Sequence, residues 1–151
     1  MNKLLFQAVK YFDSKCPRGN YTDFANFIVW WIMMEEFMKD LSGKNDATRA
    51  INEIERNLAL KSELQEAWDK IHIQTWSGKI QVICAGQPYI FGSNSYTISD
   101  PLNPNLIELL RVLYCIRGNL MHSDDDPMSD TKIRLYHACG DILAQWVKYL
   151  I

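Results

Sequence analysis

The chain of 151 residues is 48% hydrophobic, contains five tryptophans and has a formal net charge of −2 at pH 7. This length and apolar content are sufficient for one compact domain, covering residues 1–151, whose core needs no disulfide or metal. The slightly acidic balance argues against a general nucleic-acid coat protein, which would carry a strong basic excess. Any contact with RNA would therefore be local.

The spacing of the cysteines and the hydropathy of the chain predict the cellular compartment of the protein. The chain has four cysteines, Cys16, Cys84, Cys115 and Cys139. They have neither CxxC spacing nor the histidine partners of a zinc site, which predicts buried or incidental thiols in a reducing environment. Residues 1–12 lack a signal-peptide cleavage site, and the most hydrophobic stretch, 27–34, is shorter than a membrane span. We expect a cytoplasmic protein with no membrane segment, cofactor or metal.

The hydrophobic period is helical over the first part of the chain. Residues 3–12 predict a short amphipathic helix that ends in a turn at residues 16–19. Thr22 is placed to cap a second helix that continues through Leu41, and Gly43 stands where a C-terminal glycine belongs. The second helix is broadly apolar and is expected to lie in the core.

A third helical stretch begins near Asp46. Ser62 and Gln65 have the spacing of a capping box, which predicts a break into two helices near Leu60. His72 follows this stretch, and a lone histidine at such a position is interpreted as a surface or capping residue.

The pattern changes between residues 77 and 103. The segment KIQVIC alternates and is β-branched, and the runs from Tyr89 to Phe91 and from Tyr96 to Ile98 are strand-like, with glycine, proline and asparagine around them. We predict a small β-hairpin or long loop inserted here between helices. Its aromatic side chains could stack on RNA bases, but covering the helical bundle is the favoured interpretation.

Two helices complete the predicted all-α fold, a bundle of four to five main helices. The first has Asn103 as its cap and Pro104 in its first turn, and it is apolar on most sides, which indicates burial against more than one element. It ends in the segment 117–122, RGNLMH. The second covers about residues 130–150, and His137 within it is interpreted as a hydrogen-bonded core histidine.

Arg117 and His122 in this segment suit the cleavage of RNA without a metal. The ribose 2'-hydroxyl must lose a proton as it attacks phosphorus, and the departing 5'-oxygen must gain one. A histidine can transfer these protons near neutral pH, and a permanently charged arginine can stabilise the extra negative charge on phosphorus. DNA lacks the internal nucleophile, so this chemistry selects RNA. A purely structural alternative remains, since both residues also suit a helix C-terminus.

The helix geometry separates the two residues. Five positions turn about 140° around an α-helix, so Arg117 and His122 do not share a face unless the arginine side chain reaches round. Asn119 and Gly118 lie three and four positions before the histidine and are its helical neighbours. We therefore expect Asn119 to orient the imidazole, and Gly118 to leave open space beside it.

The run YCIRGNLMHSDDD, placed between an apolar helix and a final amphipathic helix, resembles the R-N-x-x-x-H signature of the HEPN superfamily. The likeness is to the short prokaryotic HEPN ribonucleases, including the Apea-like group, which occur in toxin and phage-defence systems. Arg117 matches the signature's arginine and His122 its histidine. Gly118 departs from the polar residue common after the arginine, and Ser123 departs from the glycine common after the histidine.

The resemblance implies a HEPN-like helical bundle that dimerises with the two motifs facing each other. It implies a metal-independent endoribonuclease with one composite site, an RNA substrate, and an antitoxin or nucleotidyltransferase as a further partner. The residues expected to act are Arg117, His122 and Asn119. An alternative stays open, because Asp124, Asp125 and Asp126 would repel a phosphate if they faced it. The alternative is an inactive HEPN module that binds a partner protein, a nucleotide or RNA.

Overall fold

The computed structural model describes Gln7, Lys10 and residues 20–71, 73–122 and 129–150, without the side chains of residues 20–22, 73–75 and 122. These residues form an all-α bundle with one small antiparallel hairpin, which confirms the predicted fold class. The elements are α1 (Asn20–Ser42), α2 (Ala47–Arg56), α3 (Leu58–Asp69), α4 (Ile73–Ala85), β1 (Tyr89–Phe91), β2 (Asn94–Tyr96), α5 (Leu106–His122) and α6 (Asp130–Leu150). The helix expected at residues 3–12 and the turn at 16–19 lie outside the described residues, apart from Gln7 and Lys10, which are helical.

Helix α6 is the centre of the bundle, and it packs against α1, α3 and α4. Its bounds agree with the predicted helix, and its apolar sides supply much of the core. Its most extensive contact is with α1, where a Cβ added at Gly140 would lie 2.8 Å from Nδ2 of Asn26. On the same side the ring of Tyr136 stacks on Phe27, with centroids 6.0 Å apart. The absence of a side chain at Gly140 therefore lets the two longest helices touch.

Tryptophan side chains join α3 to α6. The rings of Trp68 and Trp146 meet edge to face with centroids 5.0 Å apart, and the indole N–H of Trp146 donates to the carbonyl of Leu64 at 3.0 Å. Both rings are buried. A buried aromatic pair contributes about 0.5–1.5 kcal/mol beyond its area burial, and the indole's hydrogen bond offsets the cost of burying its nitrogen.

Local capping sets the boundaries of the first helices. Gly43 adopts φ +70° and its N–H donates to the carbonyl of Lys39, which confirms its predicted place after α1. The expected cap at Thr22 is wrong, because α1 already begins at Asn20. The third stretch does divide into two helices, as predicted, although the break lies earlier than Leu60. It falls at Asn57, whose side chain accepts from the N–H groups that open α3.

The capping box expected at Ser62 and Gln65 is wrong, since both residues lie inside α3 and the Gln65 side chain instead donates to Asp69. Asn57 takes the capping role because it stands at the turn itself, with an extended backbone that the helix cannot continue through. Asp46 caps α2 by accepting from the N–H of Arg49 at 2.9 Å, as the predicted start of that stretch implies.

The segment 77–103 is only partly an insertion, because residues 73–85 form helix α4. Its β-branched alternation predicted extended structure, but Trp76, Ile80 and Ile83 also recur at helical spacing and face the core. Packing of that face against α6 decides the outcome. The predicted hairpin is confirmed further on, where β1 pairs with β2 across a turn at Gly92 with φ +62°. Its second strand covers Asn94–Tyr96, two residues before the predicted run from Tyr96 to Ile98.

Helix α5 packs against α2 and the hairpin. Its cap lies two residues after the predicted one at Asn103, because Asn105 accepts from the N–H groups of Ile107 at 2.9 Å and Glu108 at 3.2 Å. Arg111 holds α5 to α2 through a bidentate pair with Glu55, at 3.0 and 3.1 Å. No helix within the described ranges combines the length and the apolar character needed to cross a membrane.

Candidate functional site

The motif end of α5, residues 117–122, follows a buried helical segment. Arg117 is half-buried there, and in the described part of the chain no carboxylate or hydrogen-bond acceptor engages its guanidinium. Three other arginines, Arg49, Arg56 and Arg111, pair with carboxylates on the helix surface. Among the described residues, Arg117 therefore differs from these three arginines in having no carboxylate partner.

His122 is the last residue of α5. The helical backbone places it about 140° around the axis from Arg117, as the spacing predicts. Its side chain, together with Ser123 and the three aspartates of residues 124–126, lies outside the described part of the chain. The distance between the guanidinium and the imidazole therefore stays a prediction.

Asn119 turns its amide back along the helix. Its Nδ2 lies 3.8 Å from Sγ of Cys115, one turn earlier, and donates a weak hydrogen bond to that sulfur. The residue is half-buried. The expected role of Asn119 in orienting His122 remains a prediction. In that role the carbonyl oxygen of the Asn119 amide would accept a hydrogen bond from the imidazole.

The space beside Gly118 is filled, which corrects the expectation that it lies open. A Cβ at this position would come within 3.1 Å of two ring carbons of Phe91. Gly118 therefore lets strand β1 lie directly against the motif end. The missing side chain at Gly118 allows close contact between β1 and α5. This contact holds the hairpin beside the motif end.

The aromatic side chains of the hairpin cover the bundle, as the favoured interpretation predicts. Tyr89 is buried, its hydroxyl donates to the carbonyl of Ile83, and burial raises the pKa of that hydroxyl. Phe91 and Tyr96 are half-buried against the core. The Gln87 side chain bonds both the N–H and the carbonyl of Ile98, at 2.7 and 3.1 Å, and closes the hairpin onto the chain that follows.

A second group of polar side chains, which sequence reasoning missed, joins α1, α4 and α6. Nδ1 of His137 lies 2.8 Å from Asp23, and Nε2 lies 3.0 Å from Asp141. The same oxygen of Asp141 lies 3.2 Å from Nζ of Lys79. We refer to these four residues as the Asp23–His137 cluster. Each ring nitrogen of His137 therefore lies within hydrogen-bond distance of a carboxylate oxygen.

The predicted description of His137 is half right. The residue is hydrogen-bonded, but its side chain is 41% exposed and does not lie in the core. The only sequence signal was local, since His137 and Asp141 have the i, i+4 spacing of helical neighbours. Asp23 lies 114 positions away in the chain, and nothing in the sequence pairs it with His137.

Two adjoining clefts lie along the seam between α4 and α6. One, of about 270 Å³, is lined by Asp23, Lys79, Arg134 and His137 together with apolar side chains. The other, of about 220 Å³, is lined mainly by apolar residues of both helices and by Tyr89. Val82 and Arg134 line both clefts, so the two adjoin at these side chains, and we call the pair the α4–α6 groove.

The thiols that the structure describes are structural. Cys115 and Cys139 are buried, and burial raises the pKa of both. Cys84 is half-buried, with a pKa that is also raised by burial. Cys16 lies outside the described residues. Among the side chains described, no group of three or more His, Cys, Asp or Glu residues has an arrangement that could hold a metal ion.

No protein-family model, curated protein or solved structure matches this chain. Its function is therefore inferred from its own residues and their geometry.

Proposed function

We propose that the protein is a HEPN-type endoribonuclease that cleaves RNA without a metal, at a composite site between two identical protomers. The observation that carries the proposal is the state of Arg117, a permanently charged side chain at the end of a buried helix with no acceptor among the described residues. A guanidinium without an acceptor among the described residues, five positions before a histidine in the chain, suits the pentavalent phosphate of RNA cleavage. A toxin or phage-defence system is the setting that this activity fits.

The two residues divide the chemistry. His122 takes the proton of the attacking 2'-hydroxyl or gives one to the departing 5'-oxygen, and Arg117 binds the phosphate oxygens as their charge grows. The products are a 2',3'-cyclic phosphate and a free 5'-hydroxyl. Asn119 positions the imidazole and does not itself react.

A dimer follows from the arrangement of these residues on the helix. One protomer supplies one such arginine and one such histidine, on backbone positions about 140° apart, whereas a two-fold axis beside the motif end brings both pairs together. Met121, within the motif end, is 53% exposed, and Leu120 beside it is half-buried. These side chains offer an apolar contact for the second protomer around the charged groups.

Cleavage of a labelled RNA in the presence of a chelator tests the chemistry. His122→Ala and Arg117→Ala should each lower the rate by about a hundredfold or more, the usual scale for losing an acid/base or charge-stabilising group. Arg56→Ala is the matched control, because it removes an exposed arginine from α2 and should leave the rate unchanged. Asn119→Ala should cost less than either motif change. RNA with a 2'-deoxy nucleotide at the cut should resist.

Equal rates for the wild type and His122→Ala would overturn the ribonuclease. RNA binding without any cleavage would assign the chain to the inactive binding module instead. Light scattering tests the assembly separately, and the dimer should persist in the Arg117 and His122 variants. A monomer at about 10–100 micromolar, where weak homodimers form, would contradict the composite site.

A further inference from the structure

The α4–α6 groove has a polar half and an apolar half. The lining of the polar half includes Lys79, Arg134 and His137, and the one carboxylate that lines it, Asp23, is only 7% exposed. Arg134 and His137 are three positions apart on α6 and therefore share a face. Three nitrogen-bearing side chains from two helices thus converge on one cleft of about 270 Å³.

Carboxylates hold two of these groups in place without covering them. One oxygen of Asp141 contacts both Lys79, at 3.2 Å, and His137, at 3.0 Å. Asp23 fixes the other side of the imidazole ring at 2.8 Å. Arg134 is exposed, and across the described ranges no carboxylate or hydrogen bond engages it. This is a preorganised donor set with one strong cation unused, which is the chemistry that recognises a phosphate.

The apolar half continues directly from Arg134. Its walls include Val82, Ala85 and Leu135, with the buried ring of Tyr89 at the hairpin end. Gly86 makes room for that ring, since a Cβ there would meet the Tyr89 hydroxyl at 2.7 Å. Its volume of about 220 Å³ is below the roughly 300–1,000 Å³ of sites for drug-sized ligands, and it suits a single planar ring.

Strand β1 takes part in both regions. Tyr89 lines the groove and Phe91 packs on Gly118, and alternate residues of a strand lie on one face. This face packs on the bundle, so β1 joins the groove to the motif end through the protein's own packing.

We infer that the α4–α6 groove binds one ribonucleotide unit, with its phosphate at Arg134, His137 and Lys79 and its base against Val82 and Leu135. The inference rests on the proposed function, for which it names a substrate-binding subsite. The shared chemistry is a nucleoside monophosphate, which either an RNA strand or a free nucleotide can supply. The two sources are separated by experiment.

Binding, measured apart from cleavage, tests the subsite. Fluorescence anisotropy with a labelled 2'-O-methyl RNA, which lacks the internal nucleophile, gives Kd for the wild type and for Arg134→Gln. Loss of one charged contact should raise Kd about tenfold and reduce the slope of log Kd against log salt by about one. Arg56→Gln removes the same charge from α2 and is the matched control, with an expected change below about twofold. Ala85→Leu should also weaken binding, by filling the apolar half.

The second arm titrates the protein with adenosine or uridine monophosphate, and with inorganic phosphate as control, followed by calorimetry. Mononucleotide binding that Arg134→Gln weakens, with RNA affinity unchanged, assigns the groove to a free nucleotide. Equal affinities of the wild type and Arg134→Gln for both ligands, or equal losses in Arg134→Gln and Arg56→Gln, overturn the subsite. Repeating the RNA arm with His122→Ala keeps the two proposals apart, because binding at the groove should survive that change whether or not the protein cleaves RNA.

Discussion

The motif end and the Asp23–His137 cluster both place charged groups at the surface, but they are built differently. Arg117 and His122 lie within six consecutive residues of one helix. The cluster gathers side chains from α1, α4 and α6, and Asp23 and His137 are 114 positions apart. The comparison teaches that a local motif can be recognised from neighbouring residues alone, whereas a site assembled by packing depends on the whole fold.

The two regions also differ in the partners of their nitrogen-bearing side chains. Arg117 has no acceptor in the part of the chain that the structure describes, whereas His137 lies between two carboxylates. We therefore expect a change at Arg117 to alter chemistry and leave stability unchanged. Changes in the cluster should destabilise the fold, because three helices lose a shared contact.

The largest effect on stability should come from Asp23→Ala. The buried carboxylate holds His137 at 2.8 Å, and a hydrogen bond of this charged type contributes about 1.5–3 kcal/mol. Urea denaturation at pH 7 should show a loss of that size. Asp69→Ala, at an exposed carboxylate of α3, is the control and should cost less than about 0.5 kcal/mol. Equal losses in the two variants would mean that the cluster does not join the helices.

A smaller effect should distinguish two helical glycines. Gly78 lies on α4 with nothing within 4 Å of an added Cβ, so Gly78→Ala should stabilise the protein by about 0.5–1 kcal/mol. Gly118→Ala forces a contact of 3.1 Å with Phe91, and it should be at least about 1 kcal/mol less favourable. Thermal melting would measure both.

The same pair gives a direct test of the contact between β1 and the motif end. In the background of Phe91→Ala, the substitution Gly118→Ala should lose its penalty, because the ring that it meets is gone. A double-mutant cycle measures this coupling. Additive effects would show that the hairpin does not rest on Gly118.

The smallest effect concerns the ion pair between Arg111 and Glu55, which attaches the motif helix to α2. The hydrogen bond from Arg111 lowers the pKa of Glu55 from its usual 4.5. A carboxyl whose pKa is lower in the folded state stabilises the fold fully above the unfolded value, and this contribution disappears as the pH falls through the folded value. Glu55→Gln should therefore cost up to about 1 kcal/mol at pH 7, the range of an exposed pair.

Below the folded pKa of Glu55 the wild type and Glu55→Gln should have the same free energy of unfolding, because the wild-type carboxyl is then protonated. Urea denaturation of both proteins, repeated as the pH is lowered stepwise from 7 into the acid range, follows this convergence. A difference between the two proteins that grows as the pH falls would contradict the sign of the effect.

The sequence predicted helices and strands correctly where the local hydrophobic periodicity agrees with the way the element packs in the fold. Helix α6 has the predicted bounds, and the hairpin lies where its turn residues indicated. Helix α4 was mistaken for extended structure, because a run of β-branched residues carries both a strand preference and a helical spacing, and only contact with α6 decides between them. The cap at Asn103 was misplaced by two residues, since several polar residues near a boundary can serve equally, and Thr22 lies inside the described part of α1.

The candidate site was predictable only in its local part. Arg117 was predicted because its segment of six residues contains both an arginine and a histidine. The filled space beside Gly118 was not predictable, since Phe91 reaches it from a different element. The Asp23–His137 cluster was not predicted for the same reason. The sequence shows the spacing of His137 and Asp141, but not that the distant, buried Asp23 contacts the same imidazole.

The central position of α6 has a consequence for synthesis on the ribosome. The apolar face of α1, which includes Trp30, Met33 and Met34, is buried in a core to which α6 contributes, and α6 follows all the other described helices in the chain. At roughly 5–20 residues per second, α1 leaves the exit tunnel several seconds before α6 does. During that interval its tryptophans and methionines are exposed to solvent, so the nascent chain should be a substrate for chaperones that bind apolar segments.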